Sequence, residues 1–177
     1  MDAAPIIRPV RADEHDRVAE LTLAAYERLG VDVGPYRASL ADVGARAMAV
    51  EVLVAVRGSN VVGAVTYVPD RDSAYAEFDD ADAAGIRMLA VDPDVQGTGV
   101  GTALVEACVA RAAATGRSRI VLHSTADMAA ARRLYRRLGF RRAPDRDWQP
   151  QPYVALHGYV LALDTAAAAG RARSVGT

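Results

Sequence analysis

Ile86-Arg-Met-Leu-Ala-Val91-Asp-Pro-Asp-Val-Gln96-Gly-Thr-Gly99-Val-Gly101-Thr-Ala-Leu104 is the stretch from which the fold of this chain is read. The run from Ile86 to Val91 has the composition of a short, buried strand. Asp92-Pro93 ends it, because proline has no N–H to give a ladder and restricts the residue before it. Gly97, Gly99 and Gly101 let the backbone turn tightly and approach a ligand with no Cβ in the way. The residues that follow enter a helix whose first four N–H groups have no internal partner. Those groups and the positive end of the helix dipole point into one small volume, which suits a phosphate or diphosphate. The stretch is an anion cradle made of main chain.

The spacing of the glycines narrows the choice of anion. A P-loop requires Gly-x-x-x-x-Gly-Lys-Ser/Thr, and the chain contains no lysine. A dinucleotide fold requires Gly-x-Gly-x-x-Gly and an acidic residue about 20 positions on. Here the spacing is Gly-x-Gly-x-Gly, and Ile120-Val121-Leu122 occupies the later region. A nucleotide-binding domain is therefore disfavoured.

N-terminal to the cradle, Pro5 to Val10 reads as an edge strand, since its prolines are tolerated only where no donor is needed. Asp13 is placed to cap a helix carrying Val18, Leu21, Thr22, Ala25 and Leu29 on its inner face, with Gly30 at its end. A second helix is expected from Tyr36 to Ala47. Glu51–Val56 and Val61–Tyr67 are β-branched runs split by Arg57-Gly-Ser-Asn60, which is a hairpin. The stretch from Pro69 to Ala84 carries Asp70, Asp72, Glu77, Asp79, Asp80 and Asp82 with little periodicity. It reads as a mobile, solvated excursion, or as a lid and funnel that concentrates cationic amines.

C-terminal to the cradle, Val100, Ala103, Leu104, Ala107, Cys108 and Arg111 recur at helical spacing as far as Gly116. Arg119–His123 is a strand. Asp127 is placed to cap a helix with Ala130, Ala131, Leu134, Tyr135 and Leu138 inward and Gly139 at its end. Phe140–Ala143 starts another strand, Pro144–Pro152 reads as a rigid loop, and Tyr153–Leu163 is a long last strand. The order is βααβββαβαββ: an α/β chain with a mixed sheet and helices on both faces, occupying residues 1–164. Residues 165–177, rich in Ala, Gly and Arg, read as a flexible tail.

A chain of 177 residues has room for one domain with a sizeable core. The net charge of −1 gives no nucleic-acid footprint. The single cysteine excludes an internal disulfide framework and a multi-cysteine metal site, and no metal is expected. No apolar run approaches the length of a membrane span and no signal-peptide core is visible, so a cytoplasmic protein is expected. Helical spacing puts Cys108 on a buried face rather than in a nucleophile's place. A long last strand at a sheet edge would need cover, which a second copy could supply as a homodimer.

Two motifs now stand together: Val91-x-Pro93-x-x-Gln96-Gly97-x-Gly99-x-Gly101, and Ala131-Arg-Arg-Leu134-Tyr135-Arg-Arg-Leu138-Gly139-Phe140. Together they closely resemble the coenzyme-A loop and the Ala-x-x-Leu-Tyr-x-x-x-Gly-Phe segment of the GNAT acetyltransferase superfamily. The resemblance covers residues 50 to 163 well and the first fifty in outline. It implies the acyl-CoA N-acyltransferase fold, with acetyl-CoA as co-substrate, and two strands (86–91 and 119–123) that splay to admit the pantetheine arm. It implies cofactor contacts at Leu89, Ala90, Val91, Gln96, Gly97, Thr98, Gly99, Val100, Gly101, Thr102, Ser124, Asp127, Ala131 and Tyr135. The backbone around Leu89, Val91 and Val95 would hold the pantetheine and polarise the acetyl carbonyl, and the Tyr135 phenol would lie near the sulfur.

The implied reaction is N-acetylation of a primary amine on a small molecule or peptide, by direct attack in a ternary complex. Tyr135 is the expected general acid and Glu77 the expected base, with Arg87 or a water chain as alternatives to the latter. His123 stands near the cleft, and Trp148 and Tyr153 are candidates to line the acceptor site. Two positions depart from the family pattern. Thr98 replaces a basic residue between the first two glycines, and Met128 stands where many members carry asparagine, leaving Ser124, Thr125 or Asp127 to supply the polar contact. The alternative function is a non-catalytic sensor or scaffold that uses the same cradle to bind acyl-CoA.

Overall fold

The structure is a computed structural model and describes residues 4–30 and 33–164. The tail expected over 165–177 lies outside the described residues. Eight strands form the sheet: β1 (Ile6–Pro9), β2 (Glu51–Arg57), β3 (Asn60–Val68), β4 (Ala83–Val91), β5 (Arg119–Ser124), β6 (Arg141–Arg142), β7 (Trp148–Gln151) and β8 (Val154–Ala162). Their spatial order is β1-β2-β3-β4-β5-β8-β6, with β7 also paired to β8. Only β4 and β5 run parallel; the other neighbours are antiparallel. The parallel pair requires a crossover, which is α4 (Val100–Ala114).

Helices cover both faces. On one side, α1 (His15–Glu27) and α3 (Val43–Ala49) bury Val18, Leu21 and Val43 against Val52, Val54, Val61, Ala64 and Ala90. On the other, α4 buries Val100, Leu104, Val105 and Cys108 against Leu53, Ala55, Val65 and Ile120. The alternation of strand residues between these two sets is the period-two pattern of a sheet buried on both sides. Tyr135 and Phe140, from the region of α5 (Ala129–Arg137), join the second core. Among the described residues, no helix is long and apolar enough to cross a membrane.

Several local expectations change. Glu14, not Asp13, closes the turn before α1: residues 12–14 form a 3₁₀ turn in which the Arg11 N–H donates to Glu14 Oε2 at 2.9 Å. The helix expected from Tyr36 to Ala47 is two helices, α2 (Tyr36–Ala41) and α3. Asp42 leaves helical geometry between them and its carboxylate accepts from the Ala45 N–H at 3.0 Å, starting a new helix. Asp127 does not cap α5 with its side chain; Met128 holds the cap position, and the Asp127 carbonyl accepts from the Ala129 N–H. The loop expected over 144–152 contains a 3₁₀ turn (Pro144–Arg146) and β7. The last strand is interior, between β5 and the β6/β7 pair, so the edge argument for a dimer falls away.

Candidate active site

β4 and β5 pair through four residues, from Ala83↔Arg119 to Ile86↔Leu122. Beyond that point β5 stays with β8, through His123↔Gly158 and Ser124↔His157, while β4 stays with β3. The two strands part after Ile86. A bulge lies just beyond: between Thr66↔Arg87 and Ala64↔Ala90, β3 contributes Val65 alone and β4 contributes both Met88 and Leu89. Met88 has a φ of 52°, left-handed for a residue with a Cβ. Such a conformation costs on the order of 1–3 kcal/mol, and bulges of this kind re-aim a strand beside a site. The bulge therefore turns the end of β4 towards the gap left by β5.

The glycine loop closes one end of that gap. Asp92 organises its start: Oδ1 accepts from the Asp94 N–H at 3.1 Å, and Oδ2 pairs with Arg17 at 2.5 Å. Gly97 and Gly99 have φ of 79° and 89°, and Gly99 is the residue before the first turn of α4. The first intrahelical bond runs from the Ala103 N–H to the Gly99 carbonyl at 3.0 Å. The N–H groups of Val100, Gly101 and Thr102 thus have no acceptor within the helix. Gly101 serves close approach: a Cβ there would meet Leu134 Cδ2 of α5 at 3.1 Å.

These elements enclose a cleft of about 870 Å³, at the large end for a small-molecule site. Leu89, Ala90, Val91, Gln96, Gly97, Gly99, Gly101, Thr102, Asp127, Ala131 and Tyr135 line it. Three residues named from sequence do not. The Val100 side chain turns into the core, where it packs beneath Gly63. Thr98 turns back on its own loop, its hydroxyl donating to the Val95 carbonyl at 2.6 Å. Ser124 is buried and faces a neighbouring cavity. Burial pushes the Tyr135 phenol well above the ordinary tyrosine range, so it holds its proton at neutral pH. Cys108 lies in the core with its thiol pushed up to about 12, which leaves no thiolate for nucleophilic chemistry.

A second cavity of about 310 Å³ shares Tyr26, Leu29, Ile86, Arg87, Met88, His123 and Met128 with the cleft. Glu77 lines it, although it comes from the acidic excursion. Its Oε1 pairs with Arg87 at 2.6 Å, and Arg87 also donates to Tyr36 Oη at 2.9 Å and the Tyr75 carbonyl at 3.1 Å. His123 Nε2 lies 2.9 Å from the Arg146 carbonyl. A carbonyl only accepts, so Nε2 carries the hydrogen and Nδ1 is left with its lone pair in the neutral ring. Nδ1 is 3.6 Å from Glu77 Oε2, too far for a direct hydrogen bond. Trp148 stands edge-on to the imidazole, with ring centroids 6.3 Å apart.

The excursion itself is tied down rather than left as a free acidic funnel. Asp80 takes both ends of the Arg146 guanidinium at 2.5 and 2.9 Å and pairs with Arg119 at 3.4 Å. The Arg146 bond holds the Asp80 carboxyl below the usual carboxylate range. Asp82 pairs with Arg119 at 3.2 Å and accepts from the Ser118 hydroxyl. Sequence reasoning missed the contributions of Tyr26 at the end of α1 and Leu29 in the turn after it, and of Arg133 and Arg137 of α5. Arg87 carried a readable signal, as a charge inside an otherwise apolar strand.

With this geometry in hand, comparisons with known proteins give one family and many folds alike. The model of the acetyltransferase (GNAT) family matches residues 16–140. No curated protein matches the chain. A GNAT-family acetyltransferase from Staphylococcus aureus Mu50 superposes with a TM-score of 0.74 at 15% identity, covering 91% of this chain and 100% of that one. The Salmonella typhimurium protein yncA, solved with its cofactor acetyl-CoA, gives 0.67 at 22% identity over 92% and 95%. A ribosomal-protein-alanine N-acetyltransferase from Brucella melitensis gives 0.66 at 18% over 89% and 99%. At these identities the likeness is one of fold.

Proposed function

This chain belongs to the GNAT acetyltransferase family, and on that premise we propose that it transfers the acetyl group of acetyl-CoA to a primary amine by direct attack with both substrates bound. The observation that carries this reading is the meeting of two cavities at the parted strands. The large cleft runs from the glycine loop to Tyr135, and the small cavity lies beside it, with Met88 and His123 lining both. One is shaped for the cofactor and the other for the acceptor.

The residues present fit that cofactor. The left-handed Gly97 and Gly99 expose N–H groups at the head of α4 to its diphosphate. Arg133 and Arg137 supply positive charge along the same cleft, where Thr98 supplies none. When bound, acetyl-CoA supplies a thioester carbonyl carbon and a thiol leaving group. Main-chain N–H groups at the bulged end of β4 are placed to stabilise charge on the carbonyl oxygen, an effect worth about 3–4 kcal/mol per well-placed donor. Glu77 Oε2 and His123 Nδ1 form the proton-accepting pair for the amine, and the imidazole can take a proton at Nδ1 without giving up its Nε2–H bond to Arg146. In the transfer, the amine's excess proton would leave to this pair, and the Tyr135 hydroxyl would give a proton to the departing thiolate and regain one from solvent.

The test is release of free thiol from acetyl-CoA in the presence of amines, polyamines, aminoglycosides and peptide N-termini, with calorimetry of acetyl-CoA binding alongside. Turnover with any amine supports the transferase. Binding without turnover across the whole panel would point instead to a sensor.

A further inference from the structure

Charge and shape in the smaller cavity define an acceptor class. Among its described lining residues, Glu77 is the sole acid and Arg87 the sole guanidinium, and they are paired at 2.6 Å. Arg87 is already committed to Glu77 Oε1, Tyr36 Oη and the Tyr75 carbonyl. An incoming carboxylate would compete with Glu77 for the one cation of the wall and would sit beside a second negative charge. A second ammonium would find no second carboxylate in this wall; Asp80 and Asp82 of the same excursion are held by Arg146, Arg119 and Ser118. Ser124, Thr125 and Gln151 are the uncharged aliphatic polar members of the wall, and most of the remainder is apolar or aromatic, including Leu29, Val33, Met88, Trp148 and Leu156. A volume of about 310 Å³ is at the small end for a ligand site.

One feature of the wall is specific to an amine. Glu77 Oε2 and His123 Nδ1 are both acceptors, 3.6 Å apart, and a single nitrogen can lie within hydrogen-bond reach of both. Glu77 lines the small cavity and His123 lines both it and the cleft, so a nitrogen held there lies beside the wall that the two share. We propose that the acceptor is a small monoamine with an apolar or aromatic body and no carboxylate, its nitrogen held between Glu77 and His123 and its body against Trp148 and Leu156. This rests on the transferase reading above and narrows its acceptor. Polyamines, aminoglycosides and free amino acids are excluded by the charge of the pocket. This restriction comes from the pairing of Glu77 with Arg87.

The experiment compares kcat/KM for thiol release with 2-phenylethylamine, phenylalanine and spermidine, using the full chain. The first two differ by one carboxylate. The expected result is that 2-phenylethylamine exceeds both others by at least tenfold. Trp148→Ala should then raise its KM about tenfold with kcat and acetyl-CoA affinity little changed, as for loss of an aromatic anchor. Turnover of spermidine or phenylalanine at or above the rate of 2-phenylethylamine overturns the inference and leaves the transferase standing. A KM unchanged in Trp148→Ala overturns the assignment of the body to this wall. Silence with 2-phenylethylamine while another amine of the wider panel turns over overturns the inference alone; silence across that whole panel, despite acetyl-CoA binding, overturns both readings.

Discussion

Replacing Gly99 by alanine tests the cradle at one atom. Gly99 sits at φ 89° and ψ −1°, just before the first turn of α4, and a Cβ added there meets nothing within 4 Å. No clash contributes, so the whole cost is backbone: an L-residue in this region loses about 1–2 kcal/mol. At 1.4 kcal/mol per factor of ten, that is about 5- to 30-fold in any equilibrium needing this conformation. The loop is exposed and can relax without unfolding the core. The loss should therefore fall mainly on cofactor affinity, with Tm lowered by less than the roughly 2–4 °C per kcal/mol expected of a global effect in a domain this size. Calorimetric titration with acetyl-CoA and a thermal scan of both proteins read the two quantities. Gly101→Ala is the control, because Gly101 has an ordinary backbone and its new methyl would press on Leu134 Cδ2 at 3.1 Å. An affinity for Gly99→Ala within twofold of the parent would refute the argument that a left-handed cap aims the N–H groups at the diphosphate.

Three other substitutions probe separate parts of the argument. Tyr135→Phe should lower kcat by roughly 10²–10⁴ with acetyl-CoA affinity intact; an unchanged kcat in steady-state thiol release removes the general-acid role. Asp80→Asn strips the carboxylate from Arg146 and Arg119 and should cost about 1–2 kcal/mol, or roughly 2–8 °C in Tm. Because the Arg146 carbonyl holds His123 Nε2, it should also move the pH profile of kcat, which a purely structural loss would leave in place. Glu14 is held down to about 2 from 4.5, chiefly by the forked bond from Arg8 at 2.6 and 2.8 Å. Its contribution to stability is complete above the unfolded value and is lost as pH falls from about 4.5 through 2. Glu14→Gln should flatten the dependence of Tm on pH in that window, and an unaltered slope would show that the pair does not report on folding.

The parts of this molecule that were legible in sequence are those where one local demand admits few residue types. A main-chain cradle needs glycine at left-handed positions, so Gly97 and Gly99 could be read without knowing where the chain goes next. The hairpin turn at Gly58 and the helix end at Gly139 follow the same logic. The break at Asp42 was hidden because aspartate neither forbids a helix nor demands an end; its carboxylate had to find the Ala45 N–H. β7 was hidden because Trp148-Gln-Pro-Gln151 has the polarity and the proline of a loop, and only its pairing with β8 makes it a strand.

The acceptor cavity shows why function lags behind fold in such a reading. Tyr26, Glu77, Arg87, His123 and Trp148 come from five separate segments, and none is constrained by its own neighbours in sequence. Six acidic residues between Asp70 and Asp82 read as one negative surface, yet the effect of Glu77, Asp80 and Asp82 depends on the arginines they meet. Arg146, 66 residues from Asp80, offsets that carboxylate. Arg87 does the same to Glu77 inside the pocket. The cofactor half of the site is specified by backbone and so is written in the local sequence. The acceptor half is specified by pairs of side chains distant in sequence, and its selectivity exists only once the sheet has brought them together.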